Sequence, residues 1–195
     1  MSTIIAAKAV DANGENVVVM VADKQVTCGN TKECMSDNLS KIIKKGDMLI
    51  GIAGHLRATN IVEHIFQVPE IEDDQKPIEY LAKQFIPALR ETYKQEAYSE
   101  NDKGKDVNGS TIIIGFKGNV YEISSDYAVT ENNRKFMSIG SGSQYATGAC
   151  AVEFDKMLNA PSTVEDVISL LFTAISVAAR NDIYTNHEHD IMVIS

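Results

Sequence analysis

The 195-residue chain is short of cysteine, of positive charge and of long apolar runs. Each shortage removes a class of protein. The three cysteines, Cys28, Cys34 and Cys150, are an odd number, and no histidine stands near the first two to complete a metal site. They read as reduced thiols used as small apolar residues, not as a disulfide framework. His187 and His189 fall in a polar turn and read as solvated. Lysine and arginine number 18 against 27 acidic residues, giving a net charge of −9. That balance argues against nucleic acid or an anionic membrane as partner, since both need a basic patch. No apolar run reaches bilayer-spanning length, and the start lacks the basic and long apolar regions of a secretory leader. A cytoplasmic protein is expected. No internal repeat or linker divides the chain, so residues 1–195 are expected to form one domain large enough to bury a core.

What is present alternates between strand and helix signals. Apolar runs at 3–10 (TIIAAKAV) and 17–22 (VVVMVA), joined through Asn13-Gly14, predict a hairpin. A short strand is expected over 24–31, a turn at MSDN, and a second hairpin from 41–45 and 47–53 around Gly46-Asp47. Helical spacing follows: Ala58, Ile61, Val62, Ile65 and Phe66 make one stripe, and Ile78, Leu81, Phe85, Leu89 and Tyr93 another. Pro87 inside the second run predicts a kink or break. SENDKGKDVNG reads as a loop. Strands return at 110–117, 120–124 and 136–140. QYATGACAVEFDKML and VEDVISLLFTAISVAAR read as helices, the second capped by Thr163 with Asp166, and DIMVIS as a last strand. Two groups of strands, each followed by a helix pair, with apolar runs as unbroken as TIIIGF, predict an α+β, four-layer αββα sandwich.

Several residues have the right chemistry for a site. Removal of Met1 would leave Ser2 with a hydroxyl and a free α-amine. An α-amine titrates near 7.7–8.0, so it is partly neutral at pH 7 and can take the proton of its own residue's hydroxyl. Alone, Ser2 is more simply a small residue permitted after methionine. Asp23 ends an apolar run and alone reads as a turn residue. Lys41 precedes Ile42-Ile43, where its stem can be buried. Gly51 and Gly54 flank Ile52-Ala53; a glycine there admits a substrate or an oxyanion to main-chain N–H groups, or merely eases packing. SIGSGS is a tight turn without the lysine of a phosphate loop. Asp182 and Thr185 lie three apart at a helix end.

In this order, STIIA, ADKQVTCGNT, LIGIAG, SIGSGSQYA and AARNDIYTN resemble the proteasome β-type subunits, and most of all the bacterial HslV-type peptidases. The resemblance covers nearly the whole chain. It implies that Ser2 stands at the N-terminal nucleophile, a threonine in the family. Asp23 stands at the aspartate that pairs with the catalytic lysine, and Lys41 at that lysine. Gly51 stands at the glycine whose N–H forms the oxyanion hole. Ser141 matches the serine bonded to the terminal amine, and Asp182 with Thr185 the supporting pair. Thr27 matches the residue whose backbone takes substrate as an added strand, and Leu49 and Ala53 the lining of a roomy, apolar S1 pocket. No cofactor is required, although family members can carry a structural monovalent or divalent cation near the segment matching Asp182–Thr185.

Two departures stand out. Serine lacks the β-methyl that restricts χ1, so lower activity than a Ser2→Thr variant is expected. The Asp23–Lys41 segment is two residues longer, and Lys41–Gly51 two shorter, than in HslV-type members. A slip of two keeps the same strand face, whereas an ungapped count would put Leu39 in the lysine's place. Thr3 is the rival nucleophile, and would need Met1-Ser2 removed. The expected activity is that of an endopeptidase subunit of a self-compartmentalising protease: a homo-oligomer of stacked rings, degrading unfolded polypeptide supplied by an ATPase unfoldase. A non-catalytic ring or scaffold subunit is the alternative. An amidohydrolase for small amides is a third reading, because fold does not fix substrate.

Overall fold

Alternation along the first hairpin sets the layering. In the computed structural model, which describes residues 2–36, 39–71, 75–102, 105–131, 133–156 and 162–195, β1 (Thr3–Val10) pairs antiparallel with β2 (Asn16–Asp23). Gly14, at φ 83°, turns the chain between them. Along β1, Ile4 and Ala6 face one core and Ile5, Ala7 and Ala9 face another. Both faces are buried, which is why the run is apolar throughout.

The chain then makes a small separate hairpin, β3 (Gln25–Cys28) with β4 (Thr31–Cys34). It takes the place of the single short strand expected over 24–31, because Gly29, at φ 57°, reverses the chain there. Part of the MSDN turn lies outside the described residues. The hairpin β5 (Ile42–Lys45) and β6 (Met48–Ala53) leads into α1 (Leu56–His64).

The next helix, α2, runs from Pro77–Tyr80 through a π-helical stretch, Leu81–Phe85, into Ile86–Gln95. Pro87 therefore does not break it. Its ring would collide with the carbonyl four residues back in an α-helix. The wider π turn, in which Ile86 N–H reaches Leu81 O, makes room.

A short hairpin, β7 (Glu100–Asp102) and β8 (Lys105–Val107), lies in the stretch expected to be loop. β9 (Thr111–Phe116), β10 (Asn119–Ile123), β11 (Val129–Glu131) and β12 (Phe136–Gly140) follow, then α3 (Ser143–Lys156), α4 (Val164–Asn181) and β13 (His189–Ile194). Residues 157 and 158, expected to end α3, lie outside the described residues. α4 opens on the expected capping box: Asp166 N donates to Thr163 Oγ1 at 3.2 Å, and Thr163 N to the Asp166 carboxylate at 3.3 Å. Such a cap is worth about 1 kcal/mol.

Four strands form one sheet in the order β12-β1-β2-β13, and five form another in the order β11-β10-β9-β6-β5. α3 and α4 cover the outer face of the first, and α1 and α2 that of the second. The inner faces meet in a third core that includes Ile4, Val18, Met20, Leu49, Ile113 and Ile139. This is the αββα sandwich. Thr3 lies opposite Gly140 on β12, so the head of β1 abuts the β12–α3 turn. Ser2 shares a cavity with the β6–α1 turn.

Candidate active site at the head of β1

The two hydroxyls offered as nucleophile face different ways. Ser2, 4% exposed, lines a cavity of about 190 Å³ together with Lys41, Gln25 and Thr27. Thr3 is fully buried, and its Oγ1 lies 2.6 Å from Thr185 Oγ1. Successive side chains in extended backbone point to opposite faces. Ser2 addresses the cavity and Thr3 does not.

Behind Ser2 lies a buried ion pair. Asp23, at the end of β2, accepts hydrogen bonds from Thr3 N at 2.7 Å and Lys41 Nζ at 2.9 Å on one oxygen, and from Gln25 N at 3.0 Å on the other. Lys41 Nζ also donates to Gln25 O at 2.7 Å. Lys41 is 5% exposed, whereas Leu39, its rival in an ungapped count, is 40% exposed. Burial pushes the Asp23 carboxyl up, against the opposing pull of Lys41 and the two N–H groups. Burial likewise pulls the Lys41 ammonium down, opposed chiefly by Asp23. A lysine held this way gives up its proton more readily than a free one.

On the other side of the chain start, Asp182 Oδ2 accepts from Ser141 Oγ at 2.7 Å and Thr185 Oγ1 at 2.6 Å. Since Thr185 spends its one proton on Asp182, Thr3 must donate to Thr185. Ser141 Oγ also reaches Ser2 O at 3.5 Å. The glycines of SIGSGS make this approach possible. A Cβ on Gly140 would fall 1.8 Å from Ser2 O, and one on Gly142 2.2 Å from Thr3 Oγ1. Tyr184 N takes the other Asp182 oxygen at 3.3 Å. Among the described residues no three His, Cys, Asp or Glu side chains converge on a metal position.

Three expected site residues lie elsewhere. Ile52 N donates to Lys41 O on the β5 side at 3.2 Å. N–H groups alternate in direction along a strand, so that of Gly51 points the other way, to its partner Ile113 on β9. It is spent inside the sheet. A Cβ on Gly51 would lie 2.8 Å from Ile113 Cγ2 and 2.9 Å from Ile4 Cγ2, so this glycine serves the contact between sheets. Leu49 and Ala53 share its parity and face the same inter-sheet core, not the cavity. The cavity is lined instead by Ile52, Gly54, His55, Leu56 and Thr59. Gly54 is required there, since a Cβ would sit 2.3 Å from Ser110 Oγ. Gln25 was also missed: it accepts from Lys41, donates to Asp23, and its Nε2 ties Thr27 Oγ1 at 3.0 Å to Ile183 O at 2.9 Å. Counting in twos along β6 from Ile52 would have separated the two glycines.

Two sheets between helix layers, with a hydroxyl at the head of the first strand and a lysine–aspartate pair beside it, define the layered fold of the N-terminal-nucleophile hydrolases. Within that class the chain belongs to the proteasome subunit family, whose model matches residues 2–194. The ATP-dependent protease subunit HslV of Pediococcus pentosaceus is 28% identical over 188 residues, covering 95% of this chain and 90% of its own. HslV of Cytophaga hutchinsonii is 27% identical over 183 residues, 92% of this chain and 89% of its own. Among solved structures, Thiobacillus denitrificans BPH in complex with epoxomicin superposes with a TM-score of 0.77 at 19% identity, covering 99% and 98%. At that identity the likeness is one of fold.

Proposed function

We propose that the chain is a peptidase subunit whose nucleophile is Ser2, freed by removal of Met1. The observation that carries this is the placing of Ser2 on the cavity wall with the buried Lys41–Asp23 pair. The α-amine of Ser2 takes the hydroxyl proton, and Ser2 Oγ attacks the peptide carbonyl. The charge of Lys41 favours the alkoxide. Gly54, the glycine at the cavity, supplies the N–H for the oxyanion in place of Gly51. The protonated amine then gives its proton to the leaving nitrogen, and water hydrolyses the ester that remains. Thr27 on β3 offers main chain for a substrate strand. Ser141, Asp182 and Thr185 hold the turn against the chain start. Any cation near Asp182–Thr185 is structural in this scheme.

The HslV relatives are named as ATP-dependent protease subunits. Those names support a polypeptide substrate, a multi-subunit assembly and a dependence on ATP; the homo-oligomeric ring, the ATPase unfoldase and the cytoplasmic setting are part of the proposal. No helix among the described residues is long and apolar enough to cross a membrane. Intact mass with an epoxyketone label tests the reading. Loss of Met1 and an adduct on Ser2 are expected, with no adduct in Ser2→Ala. Retained Met1 and no adduct would leave the non-catalytic ring subunit. Ser2→Thr should turn over peptide faster than the wild type; a folded but inactive Ser2→Thr overturns the assignment.

A further inference from the structure

We propose that Tyr98 and Ser110 form a strut behind Gly54, and that both are positioning residues for the N–H that Gly54 gives to the oxyanion. The inference rests on the reading of Ser2 as nucleophile and Gly54 as oxyanion donor, and adds to it what holds that donor still.

Gly54 stands between β6 and α1 and lines the cavity. Ser110, 3% exposed, lies directly behind it: a Cβ on Gly54 would fall 2.3 Å from Ser110 Oγ and 2.9 Å from Ser110 Cα. The main chain of Ser110 is anchored. Its N donates to Oδ1 of the fully buried Asn108 at 2.8 Å, and the next residue, Thr111, begins β9 opposite Ala53. A buried hydroxyl needs a partner. Ser110 Oγ has one in Tyr98 OH, at 2.9 Å. That bond closes the base of the β7–β8 hairpin, which Tyr98 precedes and Ser110 follows.

Tyr98 is held by the end of α2. Ala97 takes φ 51°, and Tyr98 N donates to Tyr93 O at 2.8 Å, the bond that closes a Schellman turn. The Tyr98 ring meets the buried Tyr93 ring edge-on with centroids 4.9 Å apart, and the His55 ring with centroids 6.3 Å apart. One side chain therefore touches the residue after Gly54 with its ring and the residue behind Gly54 with its hydroxyl. Arg57 and Glu96 also join the two helices, at 2.6 Å, but Arg57 is half exposed and such a pair holds weakly. Without the Tyr98 hydroxyl, Ser110 Oγ is free to leave its rotamer, and the turn in front of it gains room. A donor stabilises an oxyanion only while it is aimed, and a misplacement of about 1 Å can cost 10²-fold in rate.

The test uses the assembled protein. Tyr98→Phe, Ser110→Ala, their double variant and Glu96→Gln are compared with the wild type. Turnover of a fluorogenic peptide, Tm, and hydrogen exchange by mass spectrometry over residues 53–60 are measured. Tyr98→Phe and Ser110→Ala should each lower kcat roughly tenfold with KM unchanged, less than the loss of an oxyanion donor outright. The double variant should lose no more than either single one, because the two act as a unit. Glu96→Gln should stay within about twofold of the wild type. Exchange over 53–60 should quicken in the strut variants alone. Unchanged kcat in either single variant, losses that multiply in the double, a rise in KM in place of the fall in kcat, or exchange no faster than in the wild type overturns the inference. So does a loss in Glu96→Gln as large as in Tyr98→Phe, or a kcat that falls only in step with Tm. Faster exchange in the strut variants of a wild type that turns over no peptide supports the hold on the turn and sinks the nucleophile.

Discussion

Two carboxylates stand on either side of the head of β1. Asp23, fully buried, faces an ammonium and two main-chain N–H groups. Asp182, 9% exposed at the end of α4, faces two hydroxyls and one main-chain N–H. The first cluster puts two opposite charges out of water, and its own desolvation works against both. The second holds one charge near the surface with neutral donors. A fold gains little from a buried pair over a well-packed apolar one, so the Asp23–Lys41 pair is better explained by chemistry at Ser2. The Asp182 cluster reads as positioning: it fastens Thr3 and the SIGSGS turn.

Removing one side of the charged pair should have the largest effect. Lys41→Met leaves Asp23 buried without its counter-ion and should cost about 3–5 kcal/mol in urea denaturation, with loss of peptide turnover. On the neutral side, Thr185→Val strips one donor from Asp182 and the acceptor of Thr3. About 1–3 kcal/mol is expected by the same measurement, and Thr185→Ser should restore most of it. If Thr185→Val costs as much as Lys41→Met, the contrast between the clusters is wrong. Ser141→Ala should be milder, about 0.5–1.5 kcal/mol, because water can replace a half-buried hydroxyl; a loss as large as that of Thr185→Val would make Ser141 an equal fastener.

The gentlest perturbation is pH. The rate should rise as the α-amine loses its proton near 7.7–8.0, and fall again below pH 10.5 as Lys41, lowered by burial, loses its own. A lysine whose folded pKa lies below its unfolded one binds fewer protons when folded. Its titration therefore adds to stability between those two values as pH rises. The alkaline limb in kcat/KM should appear with no drop in Tm, and a limb that coincides with unfolding would remove Lys41 as its cause.

Much of the architecture was legible. The double-sided apolar runs of β1, β2 and β9 announced two covered sheets, and Thr163 with Asp166 marked the start of α4. Pro87 marked the place where the α-helix is interrupted, but not the form of the interruption, a π turn over Leu81–Phe85 through which the helix continues. Asp23, Lys41, Thr27, Ser141, Asp182 and Thr185 were named from motifs in order along the chain, and the fold brings them around the head of β1. Gly51, Leu49 and Ala53 were misplaced together, by one error of parity on β6.

That error marks what a sequence can and cannot decide. Side-chain alternation, helix caps and the demand for glycine at close approaches are encoded by near neighbours, so the chain alone determined its layers and the residue types at its site. Which face of β6 meets the other sheet, and which N–H groups the ladder consumes, depends on strands far away in sequence: β5 and β9 together fix the direction of the Gly51 N–H. The same holds for Ser2 and Thr3. Two adjacent hydroxyls are alike in sequence, and only the packing of Thr185 and Gly142 against one of them turns the other to the cavity.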